Sequence, residues 1–184
     1  IVKVNDIDVT ADTYESAITE IGGQAGTKLS LTVRSDNKDR EIAEITRRVV
    51  VTPTIYSHMI GTTGYVKITD FNENTYDQFK KALENLVGNQ GAQSLIFDLR
   101  NNTGGLVDPA IKMLDMLLPE GVIATATYRD GSTEVLGNSD ANCIDLPMAV
   151  LTNENTASAA ELFTQALRDY NVAKSVGTNT YGKG

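Results

Sequence analysis

Short runs of alternating apolar and polar residues characterise the first part of the chain. The segments IVKVNDIDV and KLSLTVR alternate with period two, which predicts half-buried β-strands. Between them, apolar residues recur at helical spacing over residues 10–21, and Gly22 follows this predicted helix. A further strand, REIAEITRRVVV, runs into Pro53, which predicts a connection. The pattern predicts a domain over residues 1–52 and a second over residues 53–184.

Strands and helices alternate in the second part of the chain. GYVKITDF, SLIFDL, VIATATY, MAVLT and VAKSVG are predicted strands. Predicted helices begin at Thr75, span Pro109 to Leu118, and span Ser158 to Tyr170. SLIFDL is nearly all apolar, as in a parallel strand that is covered on both faces. The alternation predicts an α/β fold with a largely parallel sheet.

The composition restricts which chemistry is possible more than it restricts the fold. The 184 residues carry a net charge of -8, which argues against sequence-independent nucleic-acid binding. The single histidine, His58, and the single cysteine, Cys143, cannot supply a multi-histidine metal site or an internal disulfide. A nucleophilic hydroxyl would therefore need His58 or a base other than histidine. The chain opens inside a predicted strand without Met, so we expect it to be part of a longer protein.

Ser158 is the first candidate nucleophile. It follows the strand MAVLT and a polar loop, and small residues then open a helix. A hydroxyl in a first helical turn lies beside unpaired backbone N–H groups, which could also stabilise an oxyanion. Helix capping is the commoner role of a serine at such a position. This segment alone leaves both interpretations open.

A glycine-containing loop follows the strand SLIFDL. Gly104 and Gly105 can adopt backbone angles that other residues avoid, and their N–H groups could face an anion or a carbonyl oxygen. Ligands of parallel α/β sheets bind beyond the carboxyl ends of the strands, where this loop and the Ser158 loop both belong. An ordinary strand-to-helix turn would have the same composition.

Lys183 lies in the segment GTNTYGKG at the end of the chain. The segment nearly matches a phosphate-binding loop, but Gly184 stands where that motif needs Ser or Thr. The magnesium-ligating hydroxyl is therefore missing, which argues against nucleotide binding. Taken alone, a lysine among glycines is usually a surface charge.

Together, these three segments resemble the motifs of the C-terminal processing peptidases, or tail-specific proteases. TASAAE resembles the nucleophile segment of that family, with Ser158 at the nucleophile position. YGKG resembles the general-base motif, with Lys183 25 positions after the serine. DLRNNTGG resembles a third family segment. The resemblance implies oxyanion-hole amides at Gly104 and Ala159. It also implies supporting roles for Gly105 and Asp169.

The resemblance extends over nearly the whole chain. Residues 1–52 resemble the second half of a PDZ domain, and residues 53–184 a ClpP/crotonase-like α/β protease core, truncated at its C-terminal end. It implies a serine endopeptidase that cleaves proteins near their C-termini, needs no cofactor or metal, and recognises accessible C-termini with PDZ assistance. It also implies an extracytoplasmic bacterial location and leaves a homo-oligomer open.

Two other classes of function stay open beside the peptidase. The chain could be a non-catalytic PDZ-containing binding or scaffold protein, or an inactive fragment of such a peptidase. An acyl-CoA enzyme is a weaker alternative, because the crotonase-type fold also pairs backbone N–H groups but needs no Ser and Lys at this spacing.

A lysine base also sets a physical requirement: its reference pKa of about 10.4 must be lowered in a water-poor pocket.

Overall fold

The computed structural model describes residues 1–183 and divides the chain into two compact units, Ile1–Val51 and Thr52–Gly184. In the first unit, one helix packs on an antiparallel sheet with the strand order β2-β1-β3-β4. Its elements are β1 (Lys3–Val4), β2 (Ile7–Asp8), α1 (Tyr14–Ile21), β3 (Lys28–Ser35) and β4 (Lys38–Thr46). The buried core of this unit is small and centres on Val4, Ala17 and Leu29.

Helix α1 begins four residues later than the apolar spacing predicts. Thr10 and Thr13 exchange hydrogen bonds in a turn before the helix, where the Thr10 amide donates to Thr13 Oγ1 at 2.9 Å. Threonine side chains compete in this way with the helical backbone. The local turn therefore replaces the first predicted helical turn.

The second unit contains a five-stranded sheet, three helices and a hairpin. Its elements are β5 (Ile55–Ile60), β6 (Thr63–Ile68), α2 (Thr75–Leu83), β7 (Ser94–Asp98), α3 (Val107–Asp115), β8 (Gly121–Thr127), β9 (Thr133–Ser139), β10 (Met148–Thr152), α4 (Ala159–Asp169) and β11 (Ala173–Gly177). Helix α2 continues as a π-helical segment, Glu84–Asn89. The predicted alternation of strands and helices is confirmed.

The sheet of this unit has the order β11-β10-β7-β6-β5, and only the edge strand β5 runs antiparallel to its neighbour. Alternate side chains of β6, β7 and β10 pack against all three helices in one apolar cluster. Four phenylalanines on β7, α2, α4 and the β6–α2 loop contact each other at its centre: Phe71, Phe79, Phe97 and Phe163. This cluster holds the starts of α3 and α4 at the ends of their preceding strands.

In the second unit, the sequence pattern did not predict two strands. β5 occupies a segment expected to be a connection, and β9 pairs with β8 in a separate antiparallel hairpin. VIATATY is therefore a strand, as predicted, but it lies outside the parallel sheet. Short exposed strands such as β9 lack the apolar alternation that marks a buried strand.

Candidate active site

Ser158 immediately precedes helix α4 in a backbone conformation that L-residues avoid. Its φ and ψ angles are 55° and -122°. Strained backbone of this kind costs about 1–3 kcal/mol and is found mainly at functional sites. Sharp strand-to-helix turns of this type expose a nucleophilic hydroxyl at the edge of an α/β sheet. A serine that only capped the helix would not need this strain, because N-caps normally have extended backbone angles.

Hydrogen bonds join the Ser158 turn to the loop after β7. The two loops follow neighbouring parallel strands, which are paired up to Leu151 and Asp98. The buried Thr156 hydroxyl donates to the Leu99 carbonyl at 2.9 Å, and the Ala157 amide donates to the Asn102 carbonyl at 3.0 Å. The fold therefore brings the two predicted segments together at one edge of the sheet.

Gly104 lies directly against the Ser158 turn. Its φ is +102°, and a Cβ atom there would lie 2.7 Å from the Ala157 carbonyl oxygen and 2.8 Å from Ser158 Cβ. Only glycine fits this position without displacing the turn. Its N–H group differs from the sequence-based expectation, because it donates to Asn102 Oδ1 at 2.8 Å. The cause is a local turn of a common type, in which the side-chain oxygen of an Asn accepts a hydrogen bond from the backbone amide two residues later.

The Gly105 and Ala159 amides donate no hydrogen bond to another residue among residues 1–183. The Gly104 carbonyl accepts a hydrogen bond from the Phe71 amide at 3.0 Å. In a trans peptide the N–H group points opposite to the C=O group, so the Gly105 N–H points away from Phe71. The Ala159 amide belongs to the first turn of α4, where intrahelical acceptors are missing.

Lys183 and Ser158 line the same cavity of about 880 Å³. The cavity lies between the start of α4, the loop after β11 and the β8–β9 hairpin. Lys183 is exposed, although a lysine base requires a water-poor environment. Among residues 1–183, no hydrogen bond joins Lys183 Nζ to the Ser158 hydroxyl. The structure therefore brings the two residues to one cavity without pairing their side chains.

Glu161, in the first turn of α4, contacts both segments. Its Oε2 atom accepts the Ser158 and Lys183 amides, each at 2.8 Å. Its Oε1 atom accepts the Thr180 hydroxyl at 2.7 Å and the Gly182 amide at 2.6 Å. Partial burial acts to raise the pKa of Glu161, but these hydrogen bonds outweigh it, so the pKa lies below its ordinary value. Glu161 is therefore held as a carboxylate.

A second carboxylate, Asp98, closes the end of β7. Its side chain is fully buried, and it accepts two hydrogen bonds from the Arg100 guanidinium at 2.9 and 2.6 Å and one from the Tyr65 hydroxyl at 2.5 Å. Burial acts to raise the pKa of Asp98, but the Arg100 and Tyr65 hydrogen bonds lower it to about 2. This ion pair fixes the strand end from which the Gly104 loop departs.

Asp169 and His58 do not line the cavity that holds Ser158. Asp169 ends α4, about 16 Å along the helix from Ser158 by the rise per residue. It accepts a hydrogen bond from Gln165 at 2.6 Å. His58 lies on β5 with its ring 4.9 Å from the Tyr65 ring. The structure does not bring either residue together with Ser158 and Lys183.

Sequence reasoning missed Glu161 and Asn102. Ser158 and Glu161 form the spacing of a capping box, in which a Glu three residues after the N-cap accepts the N-cap amide. That signal was available in TASAAE. Asn102 is completely buried, and its side-chain amide donates to the Ile68 carbonyl at 2.9 Å. No spacing rule predicts this long-range contact.

Two features are absent from the part of the chain that the structure describes, residues 1–183. No group of three or more His, Cys, Asp or Glu side chains there is arranged to hold a metal ion. No helix there combines the length and the apolar character needed to cross a membrane.

Comparison with known proteins identifies the family. The profile of peptidase family S41 matches residues 62–184. A probable CtpA-like serine protease of Staphylococcus aureus (strain COL) is 30% identical over 187 residues, and that of Staphylococcus epidermidis is 31% identical. These matches include 100% of this chain but only 37% and 38% of the two relatives, so the chain spans little more than a third of their length.

Solved structures agree with this assignment. The photosystem II D1 C-terminal processing protease superposes on 100% of this chain and 52% of its own, with a TM-score of 0.66 and 27% identity. A Streptococcus agalactiae lipoprotein shares the fold over 71% of this chain and 51% of its own, with a TM-score of 0.60 and 24% identity. The predicted α/β protease fold is confirmed. The chain belongs to peptidase family S41, which confirms the resemblance to the C-terminal processing peptidases.

Proposed function

We propose that this chain carries the catalytic core of a serine endopeptidase in which Ser158 is the nucleophile and Lys183 the general base. The observation that carries the proposal is the strained backbone of Ser158 at the start of α4, in a cavity that Lys183 also lines. A serine hydroxyl is a weak nucleophile without an adjacent base. His58, the other conceivable base, lies on β5 against Tyr65.

The reaction follows from these roles. Ser158 Oγ attacks the peptide carbonyl carbon while its proton moves to the neutral Lys183 amine. The carbon–nitrogen bond then breaks, and the ammonium of Lys183 protonates the leaving amine. Water then attacks the acyl-enzyme while Lys183 accepts its proton, and Lys183 returns this proton to Ser158 Oγ as the carbon–oxygen bond to the serine breaks. A substrate in the cavity would displace water around the exposed Lys183 side chain and so favour its neutral form.

Two backbone amides would stabilise the oxyanion. The Ala159 amide is one of them, because it follows the nucleophile and has no acceptor among residues 1–183. The Gly104 amide could take part only if Asn102 Oδ1 released it. The adjacent Gly105 amide points away from Phe71 and needs no such release, so Gly105 is a second candidate for this donor beside Gly104.

The first unit would recruit substrate. As a partial PDZ-like domain, residues 1–52 would bind an extended peptide by strand addition and present proteins with accessible C-termini to the core. Cleavage near the C-terminus, an extracytoplasmic location and assembly into a homo-oligomer are further proposals that follow from the family resemblance. We likewise propose that residues 53–184 form the peptidase core.

The test compares Ser158→Ala and Lys183→Ala with the unchanged protein in hydrolysis of dye-labelled casein. We expect each variant to lose at least about a thousandfold in kcat, since members of a nucleophile–base pair act as a unit. Intact-mass measurement after treatment with a fluorophosphonate should show one adduct, on Ser158. The matched controls are Ser132→Ala in the β8–β9 turn and Lys174→Ala on β11.

Full activity of Ser158→Ala would overturn the assignment of the nucleophile. If the unchanged protein bound peptides with free C-termini but neither cleaved casein nor formed the adduct, the non-catalytic binding protein would be the correct interpretation.

A further inference from the structure

Few hydrogen bonds attach the segment that carries Lys183 to the turn that carries Ser158. Three successive amides of residues 181–183 donate toward that turn: Tyr181 to the Thr156 carbonyl, and Gly182 and Lys183 to Glu161. Two of these three bonds, and the bond from the Thr180 hydroxyl, end on one carboxylate. The backbone position of Lys183 therefore depends mainly on Glu161.

We propose that Glu161 is a positioning residue, which ties the Lys183 segment to the Ser158 turn and so sets the relative position of the base and the nucleophile. This inference rests on the proposed roles of Ser158 and Lys183. The key observation is that one oxygen atom, Oε2, accepts the amides of both residues at 2.8 Å. A shift of either backbone relative to the other breaks one of these bonds.

Helix capping does not account for this arrangement. A capping box needs only the bond from the Ser158 amide to Glu161 and favours a negative charge in the first turn of α4. The bonds from Thr180, Gly182 and Lys183 come from a segment about 20 residues later and contribute nothing to a cap. Four donors converge on the two carboxylate oxygens. Each oxygen accepts one backbone amide from the segment after β11: the Gly182 amide donates to Oε1 and the Lys183 amide to Oε2.

The carboxylate cannot be replaced by an amide without loss. An ionised carboxylate only accepts hydrogen bonds, whereas glutamine has one oxygen and an NH₂ group that only donates. In Glu161→Gln, the NH₂ group would face either the Ser158 and Lys183 amides or the Gly182 amide and the Thr180 hydroxyl, and only the hydroxyl can turn and accept. In either orientation one backbone amide of residues 182–183 loses its acceptor, so the Lys183 segment loosens while the cavity keeps its size.

The experiment measures kcat and KM of Glu161→Gln with dye-labelled casein. We expect kcat to fall about a hundredfold while KM changes less than about threefold, because base and nucleophile act in the chemical step rather than in binding. Hydrogen exchange should accelerate at the Gly182 and Lys183 amides. The matched control is Glu154→Gln: Glu154 is an exposed glutamate of the loop between β10 and α4, and among residues 1–183 its side chain accepts only the Thr178 hydroxyl, at 3.2 Å.

Two further variants keep the test decisive. Glu161→Asp keeps the charge but shortens the side chain, so it should recover part of the activity lost in Glu161→Gln. Thr180→Val removes one of the four donors without changing the carboxylate. It should lower kcat by about three- to tenfold, and it carries the test if Glu161→Gln does not fold.

The outcomes separate this inference from the proposed function. Inactive Ser158→Ala together with unchanged kcat in Glu161→Gln would overturn the role of Glu161 and leave the Ser–Lys mechanism intact. A fall in kcat that occurred only together with unfolding, with Thr180→Val unchanged in kcat, would also overturn it. Active Ser158→Ala would overturn the proposed function itself.

Discussion

The two loops that meet at the candidate site each depend on one carboxylate, but the surroundings of the two carboxylates differ. Asp98, before the Gly104 loop, is fully buried and paired with the Arg100 guanidinium. Glu161, beneath the Ser158 turn, accepts only neutral donors: three backbone amides and one hydroxyl. The first carboxylate is part of an ion pair within one strand end, whereas the second joins two segments that are distant in sequence.

Because of this difference, we expect one carboxylate to stabilise the fold and the other to position the Lys183 segment. The Asp98 bonds from Arg100 lie within three residues, so they fix the end of β7 whatever happens elsewhere. The Glu161 bonds hold a segment that has few other contacts. Loss of Asp98 should therefore mainly affect folding, and loss of Glu161 should mainly affect catalysis.

Outside the proposed nucleophile–base pair, the largest effect should come from the place where the two loops touch. In Gly104→Ala, the new Cβ would clash with the Ala157 carbonyl and with Ser158 Cβ. We expect at least a hundredfold loss of casein hydrolysis and about 1–3 kcal/mol lower free energy of unfolding, because overpacking forces the nucleophile turn to move. Activity and urea unfolding should be measured on the same preparation.

Gly131→Ala is the matched control for this variant. Gly131 also has a positive φ, +86°, but an added Cβ would meet nothing within 4 Å. The control therefore experiences the backbone strain without the clash and should keep its activity. Equal losses in both variants would show that strain alone, and not contact with Ser158, explains the effect at Gly104.

An effect on stability alone should come from Asp98→Asn. The substitution removes the charge partner of Arg100 and one acceptor from the buried network with Tyr65. Breaking a buried ion pair costs about 3–5 kcal/mol, and because half of the Arg100 side chain is exposed we expect about 2–3 kcal/mol. The measurement is the free energy of unfolding in urea.

Asp39→Asn provides the comparison for an exposed pair. Asp39 accepts two hydrogen bonds from Arg34, a geometry like that of Asp98 and Arg100, but both side chains are about half exposed. Exposed pairs contribute little to stability, so the urea midpoint should hardly change. Similar destabilisation by both substitutions would contradict the special role of burial at Asp98.

The sequence predicted the local parts of this site better than the contacts between them. Ser158, Gly104 and Lys183 belong to short motifs whose spacing is visible in the chain, and the strands before the first two are apolar enough to be predicted. Glu161 had a local signal, the capping-box spacing, which pointed to its bond with Ser158 but not to its bonds with residues 180–183. Those bonds depend on how the chain returns through β11.

The Gly104 amide shows the same limit. An unusual backbone conformation at Gly104 could be expected from the glycine itself, but the hydrogen bond from its amide to Asn102 could not. Asn102 is oriented by the Ile68 carbonyl, a contact over 34 residues that arises only when β6 and β7 pair. Tertiary context therefore decides which amides of the loop are available.

The contribution of Asp98 to stability should also change with pH. Its folded pKa of about 2 lies below the ordinary value of 3.8, so the native state favours the charged form. The stabilisation is therefore complete above about pH 4 and is lost as the pH falls toward 2. Unfolding free energies of the unchanged protein and Asp98→Asn should differ most above pH 4 and converge toward pH 2. A gap that stayed constant over this range would mean that the Asp98 side chain stabilises the fold through packing and neutral hydrogen bonds, and not through its charge.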